Sequence, residues 1–198
     1  NVKKDIKTIL YIGSVYKEAQ LDSLVDISNT IKNINLPNKK VKFILYLPYD
    51  QKQKYESKFL GSSKIEIKVH NLNDKEYFSI LSQSDLLILA SNFDFNSINY
   101  YKLSWPAKLP SYLMSKVPIF IYGPEEVFFV KEAKRKGWAY VQTKKCHKTL
   151  EKSLVQILSN QSIRNQIVKK AINESKNFNI EKIRDDFLNI INKTIEKK

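Results

Sequence analysis

A doubly wound α/β fold is the architecture this chain predicts, on three observations. Strand-length apolar runs alternate with helix-spaced patterns along the chain, the inner runs are apolar without interruption, and Gly, Pro or Asn stands at many of the junctions. Uninterrupted apolar runs suit strands buried on both faces, as in a parallel sheet covered by helices on each side. The expectation is a Rossmann-like, mostly parallel six-stranded sheet with C-terminal helices.

Each element has its own signal. Thr8 to Ile12 is a buried-strand run ending at Gly13-Ser14. Leu21, Leu24, Val25, Ile27, Ser28 and Ile31 recur at helical spacing until Pro37-Asn38 breaks the pattern. Val41 to Leu47 forms a second strand, and a polar helix over about 50–60 stops near Gly61. Ile65 to Val69 alternates apolar and charged residues, as a strand nearer the sheet edge does. Asn73-Asp74 caps a helix reaching Gln83, and Asp85 opens the strand Leu86 to Ala90. A long aromatic loop then runs from Asn92 to Trp105. After it come a short helix over about 108–116, the strand Val117 to Tyr122, and a helix over about 125–136 stopped by Gly137. Trp138 to Val141 supplies the last strand. With no internal repeat and no low-complexity linker, residues 1–198 are read as a single domain with a helical tail over about 147–198.

Composition narrows the function classes. Hydrophobic residues make up 42% of the chain, enough for a buried core, while no apolar run reaches the length of a membrane span. Cys146 is the only cysteine, which excludes an internal disulfide and suits a reducing, cytoplasmic compartment. With two histidines and one cysteine, no metal cluster is expected. The net charge is +14, and 17 basic against 7 acidic residues from Lys131 onward place +10 of it in the last third. Such a surface suits an anionic membrane face or another polyanion, and a basic, non-enzymatic binding domain is the alternative reading. Nucleic acid is disfavoured: beyond Lys131 the aromatics are Trp138, Tyr140, Phe178 and Phe187, and both Phe are expected to be buried.

In a sheet of this type ligands bind at the carboxyl ends of the strands. Neither Gly-x-Gly-x-x-Gly nor a Gly-Lys-Ser/Thr phosphate loop is present. The stretch "SWPAKLPSYLMSKVPIFIYGP" instead sets Lys108 at a helix start, where a cation and free amides together form an anion site. Gly123, after the next strand, permits close backbone approach from the other side.

Three segments resemble the donor-binding, C-terminal half of the B-fold, retaining-type glycosyltransferases: "ILYIGSVYKEAQLDSLVDI", "DKEYFSILSQSDLLILAS" and "SWPAKLPSYLMSKVPIFIYGP". The resemblance covers residues from about 7 to 160. It implies a nucleotide-sugar donor such as a UDP- or GDP-sugar and no separate cofactor or metal. It also implies a saccharide or lipid-linked acceptor held by an N-terminal half that precedes Asn1. Carried over by position, Gly13 and Ser14 face the donor phosphates, with Tyr16 and Lys17 in the same loop. Asn71 and Leu72 border the base, Ala107 and Lys108 meet the diphosphate or ribose, and Gly123 and Pro124 close the far wall. Lys108 and Lys17 are the implied stabilisers of the diphosphate leaving group. Many relatives bear two glutamates in the third segment. Here those positions fall near Leu103 and on Ser111, so the ribose contact differs. The turn glycine of the same segment is replaced around Ser115-Lys116. The exposed-looking aromatics of 92–105 and the stripe Ile180, Ile183, Phe187, Ile190, Ile191, Ile195 are expected to meet the other half of such an enzyme.

Overall fold

A computed structural model describes residues 5–195. The strands are β1 (Ile6–Ile12), β2 (Lys40–Leu47), β3 (Ile65–Val69), β4 (Leu86–Ala90), β5 (Ile119–Tyr122) and β6 (Tyr140–Gln142). They form one sheet in the order β3-β2-β1-β4-β5-β6, and every neighbouring pair is parallel. The order reverses direction between β1 and β4, so the crevice of the doubly wound topology opens above the carboxyl ends of these two strands.

The helices are α1 (Leu21–Asn33), α2 (Tyr49–Phe59), α3 (Asp74–Gln83), α4 (Phe95–Tyr101), α5 (Leu109–Met114), α6 (Phe128–Lys136), α7 (His147–Ser159), α8 (Gln161–Ser175) and α9 (Ile180–Ile195), with a 3-10 turn at Lys176–Phe178. Because successive side chains of a strand point to opposite faces, the apolar runs feed two cores. Ile9, Tyr11, Phe43, Leu45, Leu86 and Ile88 pack with Leu24 and Ile27 of α1 and Leu150 and Leu154 of α7. Leu10, Ile12, Leu87, Leu89, Ile119 and Ile121 pack with Leu109 and Tyr112 of α5, Phe129 of α6 and Trp138. β3 is an edge strand, as its alternation predicts, and its wetter side holds Glu66 against Lys42 and Lys68.

Local chemistry explains the boundaries. Asn73 closes a capping box with Glu76 at the start of α3. Gly137 ends α6 at φ 72°, the left-handed conformation glycine adopts at little cost. The segment expected as a loop over 92–105 contains α4, begun by Asp94, whose side chain accepts from the Ser97 amide. Its short apolar content hid the helix, which depends on that cap more than on an amphipathic face. Lys108 is the residue before α5, not a member of its first turn, and Lys116 ends the following turn at φ 61° without a glycine.

The tail is held at the amino rim of the sheet and loosens beyond it. Asp85 accepts from the Lys7 ammonium at 2.7 Å and the Thr8 amide at 2.9 Å, while Arg164 of α8 stands 3.7 Å away. Phe178 meets Trp105 edge-on with ring centres 6.0 Å apart. By contrast α9 exposes Ile180 by 82%, Phe187 by 61% and Ile195 by 67%. Phe187 is therefore exposed, contrary to the sequence expectation, because no described element covers that side of α9. Among the described residues, no helix is long and apolar enough to cross a membrane.

Candidate functional site

At the β1/β4 switch point a cavity of about 380 Å³ opens between the loop after β1, the end of β3, the start of α3, α4 and the approach to α5. Gly13 forms its floor. Its φ of 127° suits glycine, its amide donates to Tyr46 O at 3.0 Å, and the absent side chain leaves room for Lys108. A Cβ on Gly13 would lie 2.7 Å from Lys108 Nζ. That ammonium rests 3.9 Å from the centre of the Tyr11 ring. Among the described residues it makes no hydrogen bond and no ion pair.

The lysine as a whole keeps partial exposure at the cavity, but its charged end is enclosed. Desolvation pushes its pKa down from 10.5 to about 7. The Tyr11 ring face offsets part of that cost. Burial raises the Tyr11 phenol well above its ordinary value, so the ring stays neutral beside the cation.

The loop after β1 is tightly tied. Tyr11 donates to Ser14 O at 2.5 Å, Gln20 Nε2 donates to Ser14 O at 2.7 Å, and the Val15 amide donates to Gln51 Oε1 at 2.6 Å. Asn92, at the end of β4, donates to Lys17 O at 2.7 Å and accepts from the Ser23 amide at 3.1 Å. The amides of Ser14, Ala107 and Lys108 donate to nothing among the described residues. No Asp or Glu lines the cavity, while Tyr16, His70, Tyr77, Tyr100 and Tyr101 surround its mouth with aromatic surface. The arrangement offers one cation, free amide donors and rings, which is the chemistry of a site for an anion attached to a flat group.

Of the expected site residues, Gly13, Ser14, Tyr16, Ala107 and Lys108 line this one cavity. The others stand apart. Lys17 is exposed and turns its carbonyl, not its ammonium, to the network. Asn71 is exposed, and Leu72 lines a separate hollow of about 490 Å³ along α3. Ser111 lies beside the Tyr77 phenol and is not part of the cavity lining. Gly123 is buried with its Cα against Ser91, where a Cβ would come within 3.0 Å of Ser91 Cβ, and Pro124 is buried beside it. Neither lines this cavity: Gly123 packs against Ser91 at the end of β4 and its amide donates to Gln142 O of β6 at 3.2 Å. Sequence reasoning missed Gln20, His70 and Tyr77, and it assigned Tyr100 and Tyr101, with the other aromatics of 92–105, to contact with the other half of the enzyme and not to this cavity. One signal was present: Gln stands just before α1, where Ser, Thr, Asp or Asn is the usual cap. His70 directly precedes the expected Asn71.

The geometry has solved counterparts. The chain matches α,α-trehalose 6-phosphate synthase from Burkholderia multivorans with a TM-score of 0.71 at 12% identity, over 98% of this chain and 43% of that one. The C-terminal domain of a group 1 glycosyl transferase (LpcC) from Francisella tularensis matches at 0.58 and 13%, over 84% of this chain and 83% of that domain. This is a glycosyltransferase C-terminal-domain fold. An E. coli trehalose-6-phosphate structure bound with UDP-2-fluoro glucose has the same glycosyltransferase-like fold, with a TM-score of 0.69 at 12% identity over 93% of this chain and 44% of that one. The chain thus spans less than half the length of the synthases it matches and most of the isolated domain. No protein-family model matches the sequence, and no curated protein does.

Proposed function

We propose that this chain is the nucleotide-sugar donor-binding half of a glycosyltransferase. The observation that carries the reading is the Lys108 ammonium at the β1/β4 crevice, without a hydrogen bond or ion pair among the described residues and set among free amides and aromatic rings in a glycosyltransferase fold. In this reading the diphosphate of a UDP- or GDP-sugar lies against Lys108 and the amides of Ser14, Ala107 and Lys108. The nucleoside stacks toward the aromatic rim.

Bond breaking at the sugar's anomeric carbon transfers negative charge to the diphosphate. A cation already desolvated and aimed at that charge stabilises it without reorganisation, the condition under which electrostatic catalysis is strongest. Lys108 and the loop amides would supply charge neutralisation from the protein itself. The acceptor, a saccharide or lipid-linked sugar, would be held by a second half, and the working enzyme placed in the cytoplasm. There the basic C-terminal third would face an anionic membrane surface.

Isothermal titration calorimetry with UDP, GDP and their glucose and mannose esters tests the reading. Binding by one nucleotide series, lost or weakened at least about tenfold in Lys108→Ala, is the expected result. No heat from any ligand, or binding that Lys108→Ala leaves unchanged, refutes it.

A further inference from the structure

Gln20 stands where the cap of α1 is expected, yet its side chain caps nothing. The amide it would normally take, that of Ser23, is satisfied from across the crevice by Asn92 Oδ1 at 3.1 Å. Gln20 is thereby released for other work, although it is only 6% exposed. Its orientation is fixed by chemistry. Ser14 O can only accept, so the group 2.7 Å from it must be the Gln20 nitrogen. Tyr11 spends its proton on the same carbonyl and accepts from Gln20 Nε2 at 3.2 Å. Both Nε2 hydrogens are used. Oε1 is left buried and without a partner.

A buried acceptor with nothing to accept is uncommon and calls for an explanation. Here the residue lines the cavity that also holds Lys108. Both groups border the Tyr11 side chain, one from its ring face and one from its hydroxyl. A free cation and a free acceptor select different parts of a ligand. The cation takes an anionic oxygen, whereas an amide oxygen repels one and takes an O–H. A ligand suited to both carries a hydroxyl close to its phosphate.

We infer that Gln20 is a specificity residue of this site, with Oε1, enclosed in the free protein, shifting toward the cavity to accept a hydrogen bond from a ligand hydroxyl adjacent to the diphosphate. The inference rests on the donor-binding reading above. A nucleotide sugar offers such a hydroxyl from two sources, the transferred sugar and the ribose. A site that hydrogen-bonds a hydroxyl discriminates strongly against the ligand lacking it, because the buried partner is then left unpaired.

Calorimetry on the full chain, wild type and Gln20→Leu, separates the outcomes. One arm compares UDP-glucose with UDP-2-deoxyglucose, the other compares UDP with 2′-deoxy-UDP, and the GDP counterparts run beside them. Wild type should prefer the hydroxylated member by about tenfold or more in at least one arm, which names the source of the hydroxyl. In Gln20→Leu that preference should collapse. Equal binding within both arms by wild type, or a preference that survives in Gln20→Leu, overturns the inference while the donor-binding reading stands. No binding by any nucleotide brings down both. Because Nε2 also anchors Ser14, circular dichroism accompanies each titration; should the Leu variant fail to fold, the wild-type comparison decides alone.

Discussion

Lys108 and Gly13 occupy what is in effect one side-chain volume, and substitutions there act directly. In Gly13→Ala the new methyl meets Lys108 Nζ at 2.7 Å and Cε at 3.1 Å on a backbone whose φ of 127° already disfavours it. The backbone strain should cost about 1–3 kcal/mol, read as a lower urea midpoint. Ligand binding should fall as well, since the ammonium must move. The depressed pKa of Lys108 has two consequences with opposite senses. The folded pKa, about 7, lies below the ordinary 10.5, so between these values the unfolded chain holds the proton the folded one has lost. The cost of the buried charge is therefore paid in full below pH 7 and relieved as pH rises toward 10.5. Wild type should gain stability relative to Lys108→Met between pH 7 and 9 in urea titrations. Diphosphate binding needs the charged form, so affinity should fall over the same interval, and Lys108→Met should abolish that slope.

At the scale of elements, Asn92 joins three pieces: the loop after β1 through Lys17 O, the start of α1 through the Ser23 amide, and α4 through Ser97 Oγ at 3.3 Å. Removing it in Asn92→Ala deprives α1 of the side-chain cap on its Ser23 amide and frees the loop. A loss of about 2 kcal/mol or more in thermal or urea unfolding is expected, at the upper end for a single cap because a buried bond goes with it. Asp85 plays the same part at the opposite rim. In Asp85→Ala, Lys7 and Arg164 lose the carboxylate they share in a largely buried place, an arrangement that costs about 3–5 kcal/mol when broken. These ties mark where reading the chain alone reaches its limit. The strands, their order of appearance and α3's cap were legible because periodicity and Asn73-x-x-Glu76 are local signals. The Lys108–Gly13 juxtaposition was partly legible, since a glycine at the end of β1 and a residue at a helix start both face the carboxyl rim in this topology. Asn92's cap on α1 and the closure of Gly123 onto Ser91 join residues far apart in sequence, and Gln20 turns to Ser14 only because the distant Asn92 has taken its capping place. No spacing rule encodes such bonds. The helix α4 was missed because seven residues with an Asp cap resemble an aromatic loop.

For the molecule as a whole, the tail divides into a packed part and an unpacked part. α7 and α8 bury Leu150, Leu154, Ile157 and Ile167 against the first core, while α9 leaves its large apolar side chains in solvent. Stability should therefore reside in residues before 180. A chain ending at Asn179 should keep its unfolding free energy in urea within about 0.5 kcal/mol of the full chain, the scale of surface changes. Amide hydrogen exchange should show α9 exchanging far faster than β4 or β5. A marked loss of stability on truncation would mean that α9 supports the fold after all.

The contact between Lys108 and Gly13 carries a consequence for inheritance. Two positions that compete for the same few cubic ångströms cannot drift independently. Any descendant that acquires a β-carbon at position 13 has to shorten or redirect position 108, and a descendant with a shorter residue at 108 is released from glycine at 13. Among homologous chains the pair should therefore vary in concert, with Gly retained wherever a long cation is.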